Sequence, residues 1–352
     1  MRIGAIGIGQ AGGRVVDLLA YHNRWGIHPD ILPLAIVVNT AQADLMGLEN
    51  IPRKDRLLVG QSEVRGHGVG LLRERGAELV GQQVHYIMRK VADKDLPRVD
   101  AFLVVAGLGG GTGSGGAAVI ARQLREVYDQ PTYALALLPS ADEGKLMQDN
   151  SIAAMQELHE VTEGIVVFDN DIWKKEGVPL GECYKFMNHE LIKPFPFLFG
   201  AGEVKGKGVG VKVVDASDII ATWKGLSYIG HSSIEVKKSR FPFFRKRHSI
   251  DELDPVLKCL TVTRNATNIR LSGKCQSKET ARALILLSGP MNELSMEGFS
   301  QSKAWLQDYL GGATEIRGGD YPVPRSDEIS ATVLLSGFTE IPRLKLEFAS
   351  KE

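Results

Sequence analysis

The residues best suited to chemistry form a glycine run, Gly107-Leu108-Gly109-Gly110-Gly111-Thr112-Gly113-Ser114-Gly115-Gly116, between the apolar stretch 101–106 and a helical pattern. Phosphate is held by converging backbone N–H groups, with no Cβ in the way and φ free to turn positive. A helix N-terminus directly behind adds partial positive charge. The run supplies both, and Thr112 and Ser114 add hydroxyl donors. A flexible linker has a similar composition, but linkers do not join a core strand to a core helix. A second strand-to-helix turn, Gly7-Ile8-Gly9-Gln10-Ala11-Gly12-Gly13, fits the spacing G-x-G-x-x-G, alone a weak dinucleotide signal. That reading wants an acid at the tip of the second strand. The tip here is Asn39-Thr40-Ala41, so a nicotinamide-dependent oxidoreductase stays only as a distant alternative. The P-loop spacing is absent: Gly144-Lys145-Leu146 and Gly273-Lys274-Cys275 lack its earlier glycine and its final hydroxyl.

These turns need strands and helices to hold them. Continuous apolar runs at 3–8, 33–38, 56–59, 101–106, 133–138 and 164–168 alternate with helical patterns near 11–22, 70–92, 114–128 and 146–162. Alternation of this kind predicts crossover units and a parallel sheet covered on both faces. A further helix over about 181–198 must kink or stop at Pro194 and Pro196. A glycine-rich loop spans 200–210, and a short helix follows at 215–223. Beyond 225 the strand-like runs 226–236, 283–288, 314–317 and 329–337 outnumber the helical patterns near 251–264 and 292–310. The fold class is therefore α/β, with a Rossmann-like parallel-sheet domain over 1–180, a connecting helix and loop over 181–223, and a smaller mixed-sheet α/β domain over 224–352.

The length of 352 residues fits about two domains. Lys and Arg balance Asp and Glu at 42 each, which gives no basic excess and no case for a nucleic-acid partner. Cys183, Cys259 and Cys275 have no zinc-like spacing and fit a reducing compartment. The N-terminus reads as a strand rather than a leader, and no apolar run is long enough to cross a bilayer, so a cytoplasmic location is expected.

The two glycine turns together, with Gly109-Gly110-Gly111-Thr112-Gly113-Ser114-Gly115 after the fourth strand, resemble the phosphate signature of the tubulin/FtsZ superfamily. The resemblance covers nearly the whole chain. Gly9-Gln10-Ala11-Gly12 looks like the tubulin form of the first loop, and the chain stops soon after its last strand. Both features are most like archaeal CetZ proteins. The resemblance implies a GTPase. Gly9, Gln10, Ala11, Gly12, Gly13 and Arg14 would enclose the phosphates of GTP or GDP together with the second loop. Asn39, Thr40 and the loop 65–70 would approach the β/γ end, with Mg²⁺ on the triphosphate. His67 in that loop reads better as a surface residue. Glu143 matches the ribose contact, and Met147 stands where FtsZ proteins often carry a basic residue. Asn170 and Asn188 would read guanine, since an amide offers both a donor and an acceptor. Tyr184, four residues before Asn188, would stack on the base from the same helical face.

Neither glycine loop contains an acid, yet hydrolysis needs a group that orients water. The family supplies it in trans, from a loop of the form N-x-D-x-x-D on the next subunit. Val213-Val214-Asp215-Ala216-Ser217-Asp218 occupies that position, keeping Asp215 and Asp218 as catalytic candidates and replacing the asparagine with Val213. Slow turnover is the expectation. Helix capping also suits both acids and is compatible with catalysis. The resemblance thus implies head-to-tail protofilaments with GTP at the subunit interface, acting in cell shape, with an FtsZ-type division ring as the alternative. The basic, aromatic-bearing segment 237–248 reads as a solvated loop, or as a contact for a membrane surface or an adjacent filament.

Overall fold

A computed structural model describes residues 1–26, 30–94, 98–203, 210–236, 254–312, 314–324 and 326–351. Its first half runs β1 (Ile3–Ile8), α1 (Gly9–Trp25), β2 (Leu34–Asn39), α2 (Gln42–Met46), β3 (Arg56–Leu58), α3 (Gln61–Val64), α4 (Arg73–Gln82), α5 (Val84–Ala92), β4 (Ala101–Gly107), α6 (Gly111–Val127), β5 (Thr132–Leu138), α7 (Lys145–Val161) and β6 (Gly164–Asp169). A short α8 (Asn170–Trp173) leads to α9 (Leu180–Ile192), α10 (Pro194–Gly200) and α11 (Ala216–Thr222). The second half is β7 (Gly225–Glu235), α12 (Pro255–Asn268), β8 (Arg282–Gly289), α13 (Met296–Tyr309), β9 (Glu315–Pro322), β10 (Glu328–Phe338), β11 (Glu340–Ile341) and β12 (Leu346–Glu347).

Strands β1 to β6 pair in parallel in the order 3-2-1-4-5-6. Side chains alternate between two cores. Phe102, Val104 and Ala106 of β4 join the core under α4 to α7, and Leu103 and Val105 join the one under α1, α9 and α10. The unbroken apolar strands follow from this burial on both faces.

The mixed half is not a separate sheet. Among the described residues β7, β10, β8 and β9 continue the parallel sheet into one of ten strands, joined where β6 pairs with β7 over Gly164↔Gly225, Ile165↔Leu226 and Val166↔Ser227. On its other edge β7 pairs antiparallel with β10 from Leu226 to Glu235, so β7 lies between β6 and β10.

Three expected elements changed. The helix expected over 70–92 splits at Gln83, and residues up to 72 stay in a loop with Leu71 at φ 68°. The strand expected at 314–317 extends to Pro322. Its glycines fit because a Cβ on Gly318 would strike the Ile285 carbonyl and one on Gly319 the Lys212 carbonyl. The helix expected over 181–198 interrupts only at Lys193, whose helical φ/ψ lets α10 follow α9 with Pro194 in its first turn. Segment 237–248 and part of the loop 200–210 lie outside the described residues.

Candidate functional site

A cleft of about 440 Å³ opens at the carboxyl ends of β1, β4 and β5. Gly9 begins α1 at φ 71°, a conformation that favours glycine, and a Cβ placed there would come within 3.0 Å of Gly113 N. The two glycine turns therefore touch. Neither helix is capped by a side chain: Ile8 precedes α1 and Gly110 precedes α6, and neither first turn contains an acid. Their unsatisfied N–H groups and positive dipole ends meet in one cleft, an arrangement suited to phosphate. A Cβ on Gly110 would meet nothing within 4 Å, so that backbone is open to a ligand.

Side chains fix this backbone in place. Asn150 donates from Nδ2 to the carbonyls of Leu71 and Gly109, both at 3.0 Å, tying the second glycine loop to the loop before α4. Buried Thr40 and Thr112 share a hydroxyl hydrogen bond of 2.7 Å. Asp44 accepts from Gln10 Nε2 at 2.8 Å and from Asn39 Nδ2 at 3.0 Å. Sequence reasoning missed Asn150 and Asp44, because a lone polar residue in a helix carries no sign of its partner. Gly68, Val69, Gly70 and Leu71 also line the cleft, and Arg14 adds a cation.

The cleft brings together Gly9, Gln10, Ala11, Arg14, Asn39, Gly109, Gly110, Gly111, Thr112, Gly113, Glu143, Asn170, Tyr184 and Asn188, with Met147. It does not bring in Gly12, Gly13, Ser114 or Gly115, which are buried behind it. A Cβ on Gly12 would strike the Val105 carbonyl, one on Gly13 would press on Val37, and one on Gly115 would strike the Arg73 carbonyl. Ser114 Oγ donates to the Gly110 carbonyl. These four residues pack helices against the sheet and against one another. His67 is exposed and outside the cleft.

Past the phosphate end, Ser140 and Glu143 form a reciprocal capping box, and Tyr184 Oη donates to Glu143 Oε1 at 2.7 Å. Burial first, and then this carboxylate, hold the Tyr184 hydroxyl well above its ordinary pKa, so it remains a donor. Asn170 opens α8, and Asn188 lies one turn beyond Tyr184 on α9. A larger cleft of about 580 Å³ lies between α8–α9 and the end of α12, but no glycine turn opens a helix into it.

The two acids lie elsewhere. Asp215 caps α11, accepting from Ser217 N at 2.8 Å and Asp218 N at 3.1 Å, and Asp218 closes the box. The Ser217 hydroxyl, then the Asp218 amide, hold the exposed Asp215 carboxyl below the usual range. Arg317 Nε stands 3.7 Å from Asp218 Oδ1. Helix α11 ends just before Gly225, which pairs with the first residue of β6, and the N-terminal ammonium of Met1 also lowers the Asp215 pKa. The acids therefore sit at the amino ends of the strands. Strands of six residues place them about 20 Å from the cleft.

This opposition within one α/β chain can be set beside known proteins. Residues 2–176 match the GTPase domain of the tubulin/FtsZ family, and residues 177–351 match the C-terminal domain of tubulin-like CetZ. The tubulin-like protein CetZ1 of Haloferax volcanii is 39% identical over 98% of this chain and 90% of its own. This chain belongs to the CetZ proteins of the tubulin/FtsZ superfamily. The GDP-bound monomer of Haloferax volcanii CetZ1 superposes with a TM-score of 0.86 at 37% identity, covering 98% of this chain and 97% of that one. The GTPγS-bound protofilament of CetZ2 from the same organism gives 0.82 at 31% identity, covering 95% and 92%. With CetZ membership the oxidoreductase alternative drops out. The connected ten-strand sheet is the tubulin/FtsZ fold. No described helix is long and apolar enough to cross a membrane.

Proposed function

We propose that this chain is a cytoplasmic, GTP-dependent, filament-forming protein whose hydrolytic site is completed by the next subunit. The carrying observation is the placement of cleft and acids at opposite ends of the same strands. Within one body Asp215 and Asp218 cannot reach a phosphate in the cleft. Head-to-tail stacking brings one end onto the other, and a heterologous contact that does not close gives a filament.

The uncapped N–H groups at Gly9 and Gly110–Gly111 hold the phosphates, and Arg14 neutralises charge at the rim. Mg²⁺ bound with the triphosphate, at the Asn39 side of the cleft, would supply Lewis-acid stabilisation of charge. Asn170 and Asn188 read the guanine edge, Tyr184 stacks on the base and Glu143 faces the sugar. Asp215 and Asp218 orient the attacking water from the neighbour. Val213 is 40% exposed and has no hydrogen-bonding side chain, which supports slow turnover.

Mixing tests the trans arrangement. Asp218→Ala retains a cleft and lacks the acid, whereas Gly110→Trp retains the acids and fills the cleft. Each alone should hydrolyse GTP poorly, and the mixture should regain activity at filament-forming concentrations. A mixture no faster than its parts would sink this mechanism.

We assign the filament to cell shape rather than to a division ring, on the CetZ match over residues 177–351. Deletion should alter cell outline and leave septation intact, as judged by light microscopy. The basic segment 237–248 is the candidate contact for an anionic membrane or a neighbouring filament, with no nucleic-acid partner. Co-sedimentation with anionic liposomes at low salt tests the membrane contact.

A further inference from the structure

The C-terminal segment does more than finish the sheet. Ile341, Leu344 and Leu346 are buried, and the segment runs alongside β6 between contacts at its two ends. At one end Phe348 packs on His159 with ring centroids 4.6 Å apart, and Lys351 Nζ donates to the Thr162 carbonyl just before β6. At the other end, Arg343 Nε lies 3.0 Å from Asp169 Oδ2, at the last residue of β6.

Both partners are sheltered there, with side-chain exposures of 20% for Arg343 and 8% for Asp169. Asp169 caps α8 by accepting from Asp171 N at 3.1 Å, and α8 begins at Asn170. A second arm leaves the same guanidinium. Arg343 Nη1 donates to Gln148 Oε1 at 3.3 Å, and Gln148 Nε2 donates to the Ser140 carbonyl at 2.7 Å. Asp171, 3.8 Å from Arg343 Nη1, accepts from Ala141 N at 3.0 Å. Ser140 and Ala141 open the capping box that contains Glu143, which accepts the Tyr184 hydroxyl. Asn170 and Tyr184, two of the three side chains proposed to meet the base, are thus reached from one cation by two routes.

We infer that Arg343 is a positioning residue for guanine recognition, a latch by which the C-terminal segment sets Asn170 and Tyr184 in the nucleotide cleft. This rests on the proposed guanine site. Burial holds the Asp169 pKa above its ordinary value, and Arg343 limits that rise, favouring the charged cap. Without the guanidinium the buried carboxylate loses its counter-charge, and the cap of α8 weakens.

The test compares GDP with inosine diphosphate, whose base lacks the 2-amino group, by calorimetry on the full chain. The wild type should prefer GDP. Arg343→Gln should shrink that preference by roughly tenfold, one hydrogen bond's worth, and Arg343→Lys should recover part of it. A merely structural role would lower stability and leave the GDP/IDP ratio unchanged, and an unchanged ratio overturns the latch. If Arg343→Gln does not fold, Arg343→Lys and Asp169→Asn carry the same comparison. Asn188→Ala separates the two readings. A wild type without GDP preference removes the guanine site and the latch together. A preference that falls in Asn188→Ala and persists in the Arg343 variants removes the latch alone.

Discussion

At the carboxyl ends of β1 and β4 the working parts are backbone. Gly9 and Gly113 meet with no room for a side chain, and Asn150 and Thr40 brace the loops. At the amino ends the proposed catalytic parts are two carboxylates at the start of the short helix α11, one exposed and one half-buried, held mainly by their mutual cap. The first region is shaped before any ligand arrives, because its geometry is fixed by close packing. The second lies at the opposite ends of the strands from the cleft that it is proposed to serve. Binding is thus a property of one chain, and turnover, on the proposal above, a property of two.

The sharpest way to break this contrast is Asp218→Ala. Its GTP turnover should fall by about 100-fold or more, measured as phosphate release at filament-forming concentration, with GDP affinity unchanged. A parallel loss of affinity would mean that the two regions are not separate. Next in size is the rigidity of the cleft. Gly12→Ala should destabilise the fold by about 1–3 kcal/mol or more, read as a lower urea midpoint, because its Cβ has no space beside Val105. Gly110→Ala, into open space, should leave that midpoint nearly unchanged. Asn188→Ala should weaken GDP by roughly tenfold in calorimetry and leave stability alone.

A separate effect concerns pH. Burial, then the Lys351 charge, depress the His159 pKa from 6.5 to about 4. The unfolded chain therefore takes up the proton first. Stability should be level above about pH 7, decline as pH falls from 6.5 towards 4, and level off below. Urea titrations of nucleotide-free protein across that range check this, and His159→Phe should flatten the slope.

The parallel sheet was legible because its strands are buried on both faces and so appear as unbroken apolar runs. Gly9 and Gly110 were legible as loop residues because each lies between a strand and a helix. The roles of Gly12, Gly13, Ser114 and Gly115 were not. Glycine beside a ligand and glycine beside a carbonyl are the same letter, and only the neighbour distinguishes them. Asn150 reaches Leu71 and Gly109, and Asp44 ties nearby Asn39 to the distant Gln10, and no local pattern encodes those long-range partners. The continuity of the sheet was hidden for a similar reason. The seam consists of three residue pairs, Gly164 with Gly225, Ile165 with Leu226 and Val166 with Ser227, whose letters would suit either a joined or a separate strand.

That seam has a practical consequence. The two matched family regions meet at residues 176 and 177, yet β6 and β7 pair across that boundary. Expressing either half alone would leave β6 or β7 as an uncovered edge strand with open N–H and C=O groups, a template for aggregation. The chain should melt in a single cooperative transition. A gene fragment cut at the conventional boundary is a poor starting point for biochemistry.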